Sequence, residues 1–253
     1  MKLRIAHLYP RDMNLYGDTG NVIAIQRRLV WSGHSSELLP VHVGDPFDFG
    51  SVDMIIGGGG PDSGQRQVAW DLFGRGEEVR GAVARGVPVL AVCGMFQLFG
   101  LGFTTQDGDQ MPGIGVFDAV TVAGPKRIVG NIVVDTRFGR LAGFENHSGA
   151  TELGPAQEPL GRVVSGRGRS RRTKVEGAIS GAAVGTYLHG PVLPRNPAVA
   201  DFLILSALRL HDATATLTLP SGEEGLAGAD RAGRREPGTY RGDERLGSHP
   251  ERR

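Results

Sequence analysis

One cysteine stands in 253 residues, within VPVLAVCGMFQLFG (residues 87–100), between an apolar run and a short helical pattern. A thiol there has two readings. It is a small buried hydrophobe, chemically idle, or it sits where a strand turns sharply into a helix and exposes a nucleophile. Two further stretches carry what acyl chemistry needs beside a thiolate. GGGGPD follows the apolar residues 54–56 and offers backbone N–H groups, and AVGTYLHGP delivers His189 at the end of an apolar run. Nucleophile, base and oxyanion donors are the parts of an acyl-transfer site. Each has a plainer reading: His189 can fill a turn before Pro191, and the glycines can be a flexible loop or a phosphate cradle. A P-loop is excluded, because no G-x-x-x-x-G-K-[ST] occurs in the chain.

The elements that must position these residues follow from periodicity. LRIAHL (3–8) reads as a strand, and Val22, Ile23, Ile25, Gln26 and Leu29 begin a helix that Gly33 ends. SSELLPVHV and DMIIGGGG are second and third strands. Val68, Leu72, Val79 and Val83 predict one helix closed by Gly86, and VPVLAV a continuous apolar strand running into Cys93. Strands without polar alternation, separated by helices, imply an α/β fold: a mostly parallel central sheet with helices on both faces. The second half is richer in strands, over 114–122, 128–134 and 182–188, before a last helix over 198–210. In such sheets ligands bind beyond the carboxyl ends of the strands. Parallel strands would therefore bring the glycine loop, Cys93 and His189 to one edge.

Composition narrows the rest. Lys and Arg number 28 against 27 Asp and Glu, a formal charge of +1, which gives no general pull toward nucleic acid or anionic membrane. A single cysteine leaves no internal disulfide and no multi-thiolate metal site, and favours a reducing compartment. The amino-terminal apolar stretch is too short for a signal peptide. No window approaches the roughly 20 apolar residues of a membrane span. The expectation is a soluble, cytoplasmic protein with one domain over 1–211 and a disordered tail over 212–253, where large apolar residues become scarce.

GGGGPDSGQ, CGMFQLFG with Gln97 four residues after Cys93, and GTYLHGPVLPRNP together resemble the class I glutamine amidotransferase domains, and more closely their cobyric-acid-synthase-like branch. YPRDMNLYGDTGN (9–21), KRIVGNIVV (126–134) and GFENHSG (143–149) extend the likeness to the glutamine-hydrolysing subunits of bacterial lipid II isoglutaminyl synthases. The resemblance covers the chain to about Leu210. It implies a flavodoxin-like fold and a glutaminase in which the Cys93 thiolate attacks the side-chain amide of glutamine and His189 moves the protons. Backbone N–H groups near Gly60 and of Gly94 would hold the oxyanion, Arg127 the substrate carboxylate, and Gln97 would face the pocket or begin the helix. No metal or other cofactor is implied in this chain. ATP and Mg would belong to a Mur-ligase-like partner that amidates the D-glutamate of lipid II, at the inner face of the membrane. The same chemistry for a cobyrinic-acid-type carboxylate, or a Cys–His hydrolase without glutamine specificity, are the alternatives.

The chain departs from the family pattern at two places. Gly190 and Pro191 follow His189 where many class I domains carry a Glu that completes a triad. Asp201 and Glu176 lack motif support as substitutes, so the third member is absent or comes from another chain. Met95 stands where related domains place glycine, and is expected to narrow the pocket. The basic run GRGRSRRTK (166–174) reads as an exposed loop or as a contact for the pyrophosphate of lipid II or the membrane face.

Overall fold

A computed structural model describes residues 1–14, 17–60, 62–167 and 174–219. The tail from 220 onward and Arg169, Arg171 and Arg172 of the basic run lie outside the described residues. In chain order the elements are β1 (Lys2–Leu8), α1 (Thr19–Trp31), β2 (Ser35–Val41), β3 (Met54–Gly57), α2 (Asp62–Gly74), α3 (Gly76–Ala84), β4 (Val89–Val92) and α4 (Gly94–Phe99). There follow β5 (Gly102–Thr104), β6 (Gln110–Pro112), β7 (Ala119–Thr136), β8 (Gly139–Leu153), β9 (Gly161–Ser165), β10 (Val175–Glu176), β11 (Ala178–Ser180), β12 (Ala183–Thr186), α5 (Val192–Arg195) and α6 (Pro197–Arg209).

Six strands form the central sheet in the order β11-β12-β4-β3-β1-β2, parallel except for the edge strand β11. MIIG of β3 and VLAV of β4 are buried at every position, as strands covered on both faces must be. Each large aliphatic side chain so buried contributes about 1.5–3 kcal/mol. Helices α1, α5 and α6 pack on one another as one group, and α2, α3 and α4 as another. Arg28 of α1 donates two bonds of 2.6 Å to Asp201 of α6, clamping the first group together. No helix among the described residues is long and apolar enough to cross a membrane.

The strand-rich second half builds a separate sheet, β10-β9-β7-β5-β6, with β8 paired to β7. The long antiparallel β7–β8 ribbon is its spine, with one irregularity between Ala123 and Ile128. Two local expectations differ from the fold. The pattern over 68–83 is two helices broken at Arg75, where Gly74 and Gly76 flank the break and both disfavour helix. Residues 114–118 precede β7 rather than join it. Their amides return to α4, Ile114 N–H to the Leu98 carbonyl and Phe117 N–H to that of Phe99.

Register places the site. Gly57 of β3 is level with Ala91 of β4, and Thr186 of β12 with Val92. The three chains therefore leave the sheet at one edge, as residues 58–60, Cys93 and the segment to His189.

Candidate active site

Cys93 links β4 to α4 with φ +53° and ψ −108°, a conformation L residues rarely adopt. Its N–H donates to the Thr186 carbonyl at 2.8 Å, and its carbonyl accepts the Gln97 N–H. A backbone pinned at both ends over so short a turn leaves the side chain to project from the sheet edge, the geometry of a nucleophile elbow. The residue is 7% exposed.

His189 is held by a two-residue bridge to β8: its N–H donates to Phe144 O at 2.8 Å, and Phe144 N–H donates to His189 O at 3.1 Å. Upstream, the buried Glu176 carboxylate accepts the Tyr187 N–H at 2.6 Å and the Thr186 hydroxyl at 3.1 Å. Gly190 then turns the chain at φ +111°. Gly59 reports how closely the thiol and the imidazole approach. A Cβ built on it would lie 3.0 Å from Cys93 Cβ, 3.5 Å from Sγ and 3.2 Å from His189 Cε1. Cys93 and His189 thus meet over the backbone of Gly59. Only glycine leaves room between them.

Burial, first, and then the positive influence of His147 and Arg127 push the His189 imidazolium down to about pKa 3. His189 is neutral at pH 7 and a weak base in this setting. Asp201 does not contribute, because both its oxygens are taken by Arg28. Glu176 is committed to the Thr186–Tyr187 turn.

The cleft beside the thiol is lined by Gly60, Gln97 and Arg127 together with Gln65, Phe103 and the β8 residues Asn146, His147 and Ser148. Arg127 lies in the irregular part of β7, exposed, with Nε donating to Asn146 Oδ1 and Nη2 to Asn146 O. Gln97 faces the cleft: its Oε1 accepts from Gln65 Nε2 at 2.7 Å and its Nε2 donates to the Tyr187 hydroxyl at 3.2 Å. Thr151 and Thr121 continue this chain behind Tyr187, whose phenol is pushed up to about 12 chiefly by burial. The His147 ring stacks on Tyr187 with centroids 4.0 Å apart. Gly94 opens α4, and Gln65 Nε2 donates to its carbonyl at 3.2 Å.

Met95 does not narrow this cleft. It points beneath the elbow to β3, where a Cβ on Gly57 would fall 2.5 Å from Met95 Cγ. The glycine missing two residues after the nucleophile, at Met95, is offset by Gly57 across from it. Gln65, Asn146, His147 and Ser148 are site residues the motifs left unassigned. One signal was present: in ENHSGAT, Glu145, His147 and Thr151 place polar side chains on the buried face of an alternating strand. Among the described residues no three His, Cys, Asp or Glu side chains gather as a metal set.

This geometry has relatives. The model of the CobB/CobQ-like glutamine amidotransferase domain matches residues 4–197. The chain is 34% identical over 209 residues to the GatD subunit of lipid II isoglutaminyl synthase (glutamine-hydrolysing) of Staphylococcus aureus strain N315, covering 81% of this chain and 84% of that one. It is 36% identical over 211 residues to the subunit of the same name from Streptococcus pneumoniae R6, covering 82% and 81%. To the cobyric acid synthase of Pelotomaculum thermopropionicum it is 31% identical over 166 residues, 59% of this chain but 31% of that protein. Among solved structures, PurLQS from Thermotoga maritima has the same fold, with a TM-score of 0.57 at 16% identity over 83% of this chain and 99% of that one. The chain belongs to the CobB/CobQ-like glutamine amidotransferase family and is a glutamine amidotransferase enzyme.

Proposed function

We propose that this chain is the glutaminase subunit of a two-protein lipid II isoglutaminyl synthase. Cys93 and His189 converging over Gly59 carry the reading, and likeness to two GatD subunits over four fifths of the chain gives it an acceptor. The Cys93 proton passes to His189 as sulfur bonds to the side-chain amide carbon of glutamine. The resulting oxyanion accepts from backbone N–H groups at Gly60 and Gly94. The C–N bond breaks as His189 returns the proton to departing ammonia, leaving a thioester. His189 then takes a proton from water, which attacks the thioester carbon; the C–S bond breaks, glutamate is released, and the Cys93 thiolate takes the proton back from His189. Arg127 binds the α-carboxylate, with Asn146 fixing the guanidinium plane. The ammonia serves a Mur-ligase-like partner that holds ATP and Mg and amidates the D-glutamate of the lipid II stem in peptidoglycan synthesis, at the cytoplasmic face of the membrane. Free glutamine is the only substrate this subunit binds in that scheme.

Two observations support dependence on a partner. The open volume in the cleft is only about 20 Å³, room for about one water, so its walls must part to admit glutamine. Burial and positive neighbours also hold His189 near pKa 3, whereas a base matched to neutral pH works best. A partner carboxylate near His189 would correct the second. Purified alone, the chain is expected to hydrolyse glutamine at least about 10-fold more slowly than with the partner, a barrier difference of about 1.4 kcal/mol. Ammonia release, followed with and without the partner, measures this; equal rates contradict it.

Arg127→Ala is expected to raise KM for glutamine about 10- to 100-fold with a smaller change in kcat, the value of a charge-assisted pair. Arg127→Lys recovers little, since a point charge cannot reproduce the fork. Unchanged saturation curves would remove Arg127 from the site. Amidation of a cobyrinic-acid-type carboxylate is less favoured, because the match spans about a third of that synthase.

A further inference from the structure

The segment GDTGN (17–21) leads into α1 and has no part in the chemistry above, yet it touches both catalytic loops. Asp18 is the N-cap residue of α1, but its side chain makes no cap bond to the backbone amides of that helix. The Thr19 N–H is instead capped by Asn14 Oδ1 at 2.8 Å. The Asp18 carboxylate, 1% exposed, turns the other way and accepts the Gly59 N–H at 2.7 Å. Its seat is tight: a Cβ on Gly58 would fall 2.5 Å from Asp18 Cβ and 2.4 Å from the Met13 carbonyl oxygen. One turn along, Asn21 is fully buried and its Oδ1 accepts the Leu193 N–H at 2.9 Å, four residues beyond His189. Between them Gly20 lies so close to Pro191 that a Cβ would fall 2.4 Å from its Cγ. Asn21 Nδ2 faces Asp18 Oδ1 at 3.5 Å, linking the two arms.

We infer that Asp18 and Asn21 form a two-armed brace that fixes the glycine loop after β3 against the His189 loop, which makes Asp18 a positioning residue for the oxyanion side of Cys93. The inference rests on the glutaminase reading. Gly59 is the residue over which thiol and imidazole meet, so a carboxylate holding its N–H sets where the next peptide, that of Gly60, presents its own. The brace also explains why a buried carboxylate stands there. Burial pushes Asp18 up to about 6, and the Gly59 N–H opposes that rise. An acid placed for stability would cap its helix or face a cation.

The test compares two reagents on the full chain. A glutamine-analogue diazoketone labels Cys93 only through the assembled glutamine site, whereas iodoacetamide needs only a reactive, reachable thiol. Asp18→Ala is expected to slow diazoketone labelling about 10- to 100-fold, since a displacement of about 1 Å at a reacting centre costs up to about 100-fold, and to leave iodoacetamide labelling at the wild-type rate. Asp18→Asn, which keeps an acceptor oxygen for Gly59, recovers most of the diazoketone rate. Asp18→Ser keeps an N-cap residue on α1 but is too short to reach Gly59, and repeats the loss should the alanine variant melt early. An Asp18→Ala or Asp18→Ser protein labelled by the diazoketone at the wild-type rate overturns the brace and leaves the glutaminase reading intact. Equal loss with both reagents assigns Asp18 to general packing and also overturns it. A wild-type chain that takes iodoacetamide but no diazoketone defeats the glutaminase reading, and the brace with it.

Discussion

Cys93→Ala is expected to lower glutamine hydrolysis by about four to six orders of magnitude, to the residue left by binding and oxyanion stabilisation alone. The size follows from what the thiolate does. Without it no thioester forms, and the neighbouring groups can only hold glutamine for a slow attack by water. The fold is expected to survive, because β4 is fully apolar and the side chain removed is small. Cys93→Gly sharpens the distinction between chemistry and packing. At φ +53° a non-glycine residue stores about 1–3 kcal/mol of strain, so the glycine variant should melt no lower than wild type while being as inactive as the alanine variant. Thermal melts paired with glutaminase rates decide this. A Cys93→Ser protein with full activity would remove the nucleophile from the account.

The second large effect is expected at a residue without a side chain. Gly59→Ala places a methyl group 3.0 Å from Cys93 Cβ and 3.2 Å from His189 Cε1. Both distances are below ordinary contact, so the sulfur and the imidazole must part by some tenths of an ångström or more. Catalysis between two positioned groups loses about 100-fold for a misplacement near 1 Å. We expect kcat to fall by that order with KM for glutamine changed far less, since Arg127 is untouched. Gly74→Ala is the control: it lies at the end of α2 with nothing near its Cβ position, and should leave kcat unchanged. Steady-state kinetics of the two variants side by side test the prediction. Wild-type kcat in Gly59→Ala would mean that thiol and imidazole do not work across that glycine.

Much of the first half is legible in sequence because its signals are local. MIIG and VPVLAV are continuous apolar runs ended by glycines or Cys93, and LRIAHL is a mostly apolar run ended by Tyr9 and Pro10; such runs become the parallel strands of a sheet covered on both faces. Parallel order alone then brings GGGG, Cys93 and His189 to one edge. The β7–β8 ribbon is less legible. Residues 119–136 alternate unevenly, and their pairing with 139–153 is a matter of register across the pair, which no short window records. That register carries Asn146, His147 and Ser148 to the cleft, so the motif GFENHSG is visible in sequence but its place at the site is not until the second sheet is known to exist. Met95 fails for a similar reason. Its spacing from Cys93 is visible, but whether it points into the pocket or under the elbow depends on Gly57, which is far away in sequence and touching in space. Asp18 is a third case: an acid before a helix reads as a cap, and only the fold shows it turned toward Gly59.

The central claim is that Cys93 attacks glutamine from within a glutamine-specific site. Intact-mass analysis of the full chain after incubation with a glutamine-analogue diazoketone tests it most directly. The account predicts a single adduct, mapped to Cys93, slowed by free glutamine and absent from Cys93→Ala. No adduct under conditions that fully label a known class I glutamine amidotransferase would contradict it.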